Sequence, residues 1–83
     1  MPENGSSALD AFRLEAGLSH DELWLRYFEL GGMSSGLDLE MYLCGMAVPT
    51  AHDHDLIAAA LNERFVEMGG NHFVPYSDDT SES

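Results

Sequence analysis

Three stretches of the sequence hold side chains with chemical potential. The first is "FELGGMSS", Phe28 to Ser35, where Ser34 follows a Gly-Gly pair. A serine in that setting either carries an attached group or starts a helix by capping its backbone N–H groups. The second is "HDHD", His52 to Asp55, built from metal-ligand residue types. Metal pairs on helices usually sit three or four residues apart. His52 and His54 are two apart and point away from each other. The third is Cys44, the sole cysteine. It falls in an apolar helical pattern and is expected as a small buried hydrophobe. A nucleophile needs a positioned base and a stabilised oxyanion. Ser34, Cys44 and the histidines have no such arrangement, so no catalytic residue, metal or cofactor is expected.

The elements that would position these groups are constrained by size and charge. A chain of 83 residues is one domain at most, and its 45% apolar content suffices for a core. The net charge is −12, with no lysine and only Arg13, Arg26 and Arg64 as strong cations. Such a surface repels phosphate backbones and anionic lipid headgroups and attracts a basic protein surface. A GC-rich or salt-adapted proteome gives a similar balance, with no partner implied. No apolar run reaches the ~20 residues that span a bilayer. The start, "MPENGSS", lacks the pattern of a secretory signal. A single cysteine also suits a reducing cytoplasm.

The chain is punctuated as a series of helices. Ser or Thr is followed three residues later by an acid at Ser7–Asp10, Ser19–Glu22, Ser35–Asp38 and Thr50–Asp53. Each start is answered by a glycine, Gly17, Gly31, Gly45 or Gly69, where a helix can end in the left-handed conformation. The spacing predicts an all-α, compact bundle of four helices over about 7–16, 20–30, 36–44 and 51–68. Residues 1–6 are expected to be a flexible N-terminus, 7–76 a single helical domain, and 77–83 a disordered acidic tail. "HFVPY" is predicted as an arm that docks on the bundle or on a neighbour. The second helix carries Leu23, Trp24, Leu25, Tyr27, Phe28 and Leu30 around most of its circumference. It is predicted as the central element, with surplus apolar surface facing a second copy or another protein.

Two resemblances sit on these residues. "FELGGMS" resembles the attachment signature of peptidyl carrier proteins, and "PTAHDHDLIAAAL" resembles the Pro-Thr start of their last helix. That resemblance implies a phosphopantetheine on Ser34. Its spacing then fails: carriers place a long helix and a loop between the serine and Pro-Thr, whereas the third helix here ends near Gly45 and Pro49 follows at once. The alternative is that Gly31 and Gly32 end the second helix and Ser34 or Ser35 caps the third. Over residues 20–76, "LWLRYFELGG" and "HDLIAAALNERFVEMG" resemble a family of small acidic helical proteins from actinomycetes. It implies a cytoplasmic bacterial protein with an accessory role in regulation, and no functional residue. The second and third helices also outline a helix-turn-helix. The third carries Asp38 and Glu40 and no base, so direct DNA contact is not expected.

Together these features predict a non-catalytic protein-interaction module. Its partner would be a protein with a basic surface, such as a transcription regulator or sigma-type factor, with a homodimer as the other use of the apolar surplus. The candidate anchors are Trp24, Tyr27 and Phe28, with Tyr76 in the arm. Glu22, Glu29, Asp38 and Glu40 are the candidate acidic rim.

Overall fold

The computed structural model describes residues 8–70 and 74–76. The predicted N-terminal and C-terminal tails and Ser7 lie outside the described residues. Four helices follow in order: α1 (Ala8–Ala16), α2 (His20–Glu29), α3 (Gly36–Cys44) and α4 (Ala51–Glu67). No strand occurs among the described residues.

Local chemistry sets the helix ends. Ser19 caps α2 and Glu22 reaches back to the Ser19 N–H, closing a reciprocal box. Ser35 and Asp38 do the same for α3, although aspartate is the shorter acid. Thr50 caps α4 by accepting from the Asp53 N–H, but here the acid does not return to the cap. Gly17, Gly31, Gly45 and Gly69 all have positive φ, from 72° to 103°. Gly45 ends α3 in the left-handed region, which a side chain would disfavour.

The helices close into a ring of contacts: α4 packs on α1 and α2, and α3 packs on the other side of the same two. The central element is α4, not α2. Seven of its residues are buried, including Ile57, Leu61 and Phe65, and the small Ala58 and Ala60 let its neighbours come close. Only Leu23 and Tyr27 of α2 are buried. Leu25 and Phe28 stand half exposed, because a four-helix ring covers one side of α2 and leaves the other uncovered. Phe12 of α1 meets Phe65 edge-on, with ring centroids 6.4 Å apart.

One further expectation is corrected. Cys44 is exposed: Leu39 and Leu43 form the buried face of α3, and Cys44 lies one residue past that face at the helix end. Met46, beyond the end of α3, is 75% exposed.

The arm docks on the bundle. Val74 is buried, and both of its backbone polar groups are bound by one side chain. Asn62 donates from Nδ2 to the Val74 carbonyl at 3.0 Å and accepts the Val74 N–H at Oδ1 at 2.9 Å. Asn62 is itself buried, so the pair satisfies groups that would otherwise be left unpaired. Substituting Asn62→Leu is expected to release the arm and lower stability by about 1–3 kcal/mol. Urea denaturation checks the loss, and earlier protease cleavage near residue 74 checks the release.

Candidate functional site

The "GGMS" turn is organised around Tyr27. Its ring is fully buried beneath Gly32, where any Cβ would overlap it. The Tyr27 hydroxyl accepts the N–H of Met33 at 3.1 Å and of Ser34 at 2.8 Å. It donates to Asp53 Oδ1 at 2.8 Å. One donor and two acceptor positions are thereby filled, the full capacity of a phenol hydroxyl. Ser34 donates from Oγ to Asp53 Oδ2 at 2.8 Å, and Tyr42 of α3 donates to the same oxygen at 3.2 Å.

Asp53 is thus a buried carboxylate bound by three hydroxyls. Burial pushes its pKa up, and the hydrogen bonds from Ser34, Tyr27 and Tyr42 outweigh that, so the group lies below its ordinary value. The serine marked by the carrier-like motif therefore has a defined role. Ser34 locks the α2–α3 turn to the start of α4, while Ser35 caps α3. Its hydroxyl is half-buried and points at a carboxylate.

The same turn presents an apolar ledge. Trp24 donates from Nε1 to the Ser34 carbonyl at 2.9 Å, and its ring stacks on Phe28 with centroids 5.1 Å apart. Phe28 is 54% exposed. Ser34 and Gly36 both meet the indole, and their chain neighbours Met33 and Leu37 are 92% and 66% exposed. The Trp24–Phe28 pair thus lies beside a turn flanked by two exposed apolar residues.

The predicted anchors divide. Trp24 and Phe28 form the ledge. Tyr27 is removed from the surface altogether, because its hydroxyl reaches Asp53 only from inside. Tyr76 is half-buried and packs against the core, as part of the docked arm rather than as an exposed anchor. The predicted acids also divide. Glu22 and Asp38 bind the backbone of their own N-caps. Glu22 and Glu29 line a polar groove between α2 and α4, away from the ledge. There Arg26 donates twice to Glu67, at 2.8 and 3.0 Å. Those two hydrogen bonds hold the Glu67 carboxyl below its usual range. Glu40 is exposed on α3.

His52 is exposed, and His54 pairs through Nε2 with the Pro75 carbonyl at 3.0 Å. Among the described residues no group of three metal-ligating side chains assembles. No helix among them is long and apolar enough to cross a membrane. Sequence reasoning missed Asp53, Tyr42, Met33 and Leu37. The available signal was that tyrosines in apolar helical positions need acceptors for their hydroxyls.

Replacing Asp53→Asn is expected to cost about 2 kcal/mol at pH 7, since hydrogen bonds to a charged group are lost. The pH dependence has a definite sign. The native pKa lies below the ordinary value of 3.8, so this stability is present above 3.8 and lost as pH falls through the lower native value. The gap between the natural chain and the variant should therefore narrow below pH 3.8, as read by chemical denaturation across pH. Comparison with known proteins returned no match to a family model, a curated protein or a solved structure.

Proposed function

We propose that this chain is a non-catalytic interaction module that binds a basic protein through the Trp24–Phe28 ledge. The observation that carries the reading is the ledge itself. Exposed Phe28, stacked on the half-buried Trp24, lies near a turn flanked by exposed Met33 and Leu37 in a chain with net charge −12. Aromatic and methionine side chains of this kind supply most of the binding energy at protein interfaces. The surrounding negative field selects a cationic partner and speeds encounter. A transcription regulator or sigma-type factor has the required charge, and the setting is a bacterial cytoplasm.

The same field works against pairing two copies, since each brings the same excess of acids. A homodimer would have to bury the ledge against that repulsion. Carrier function is disfavoured because the Ser34 hydroxyl is engaged by Asp53. Direct DNA reading is disfavoured because α3 offers Asp38 and Glu40 and no cation.

A photo-crosslinking residue at position 28, with position 66 of α4 as control, tests the proposal in a lysate of producing cells. The expected result is a basic protein joined at 28 and not at 66, with a yield that falls as salt is raised. No adduct at 28, or the same adducts at both positions, would overturn it.

A further inference from the structure

A second apolar feature lies away from the ledge. A cleft of about 310 Å³ opens between α1, the loop after α3 and the docked arm. Leu9 and Phe12 form one wall, Tyr42, Val48 and Pro49 another, and Val74 the third. The third wall is rigidly placed, since Asn62 binds both backbone groups of Val74.

Among the described residues two side chains with polar atoms reach this cleft, and each is engaged at one atom. The Tyr42 hydroxyl donates to Asp53, and His54 Nε2 pairs with the Pro75 carbonyl. Small-molecule pockets run from roughly 300 to 1,000 Å³ and fix their ligand with a few well-placed polar groups. This cleft is at the small end of that range, and no acid, lysine or arginine among the described residues lines it to hold a charged headgroup. It suits an aliphatic or aromatic side chain that arrives on a larger, already oriented body.

The charge around the cleft specifies that body. Among the described residues no acid lines the cleft itself; α1 beside it carries Asp10 and Glu15, and the start of α4 carries Asp55 and the buried Asp53, in a chain of net charge −12. The strong cations on α1 and α4 are both engaged: Arg13 is bound to Asp10 and to the Leu18 carbonyl, and Arg64 to the Ala16 carbonyl. We propose that the cleft is a docking site for an apolar anchor of a cationic amphipathic helix, held by apolar contact and selected by charge. The inference shares with the interaction-module reading only the sign of the partner's charge. Crosslinking at Phe28 tests that reading separately.

The test uses the full chain and a fluorescent lysine–leucine peptide with leucines at helical spacing. A lysine–serine peptide of equal charge serves as control. Anisotropy gives affinity, and amide NMR shifts give the site. The expected shifts cluster at residues 8–12, 45–49 and 74–76. Ala47→Trp, which fills the cleft, should weaken binding about tenfold or more. Val48 is 90% exposed, so Val48→Arg keeps the fold and serves if the first variant fails to fold. Its added cation should weaken binding to a similar degree, while Phe28→Ala should leave it within about twofold. Equal binding of the serine peptide, shifts confined to the Trp24–Phe28 ledge, or decanol shifting the cleft amides when the peptide does not, would each overturn the proposal.

Discussion

The carboxylate of Asp53, buried and bound by three hydroxyls, is the constraint on which the rest of the structure depends. A buried charge is costly unless hydrogen bonds replace its water. Here Tyr27, Ser34 and Tyr42 replace it, and they come from α2, the following turn and α3. Asp53 itself stands in the first turn of α4, where the helix dipole favours negative charge. One side chain therefore ties the central helix to the three segments that precede it. Removing any hydroxyl would leave part of a buried charge unsatisfied, which makes the arrangement specific as well as stabilising.

That tie also decides what the surface offers. Tyr27 holds the Met33 and Ser34 amides, and this fixes the turn in which both sit. The Ser34 carbonyl then meets the Trp24 indole, which in turn supports Phe28. The exposed ledge is the outer side of the Asp53 network. On another side, Tyr42 reaches Asp53 while lining the apolar cleft. Both apolar features therefore rest on one polar cluster, and both lie in a strongly negative field. In the proposed reading, these two apolar features make the contacts and the polar cluster holds their shape.

Much of the fold was legible because its signals are local. Ser19, Ser35 and Thr50 cap helices within three residues of themselves, and four glycines end helices through their own φ angles. The face that each helix buries was less legible. Six apolar residues ring α2, and only contacts with α3 and α4 determine that Leu23 and Tyr27 turn inward while Leu25 and Phe28 do not. Cys44 misled for the same reason: one position along a helix rotates a side chain by ~100°, enough to carry it off the buried face. Asp53 is legible as the third residue after the cap Thr50, which accepts its N–H. Its burial depends on Tyr27, 26 residues away, and no local pattern encodes that pairing. The carrier-like "FELGGMS" is explained residue by residue once the ring of Tyr27 is in place. Gly31 turns the chain, Gly32 lies on the ring, and Ser34 reaches Asp53.

The most direct test is a double-mutant cycle on Tyr27→Phe and Asp53→Asn, followed by urea denaturation at neutral pH. If the buried pair holds the fold as described, the two losses will not add, and the coupling should be about 1 kcal/mol or more. Additive losses, with coupling indistinguishable from zero, would contradict the central place given to Asp53.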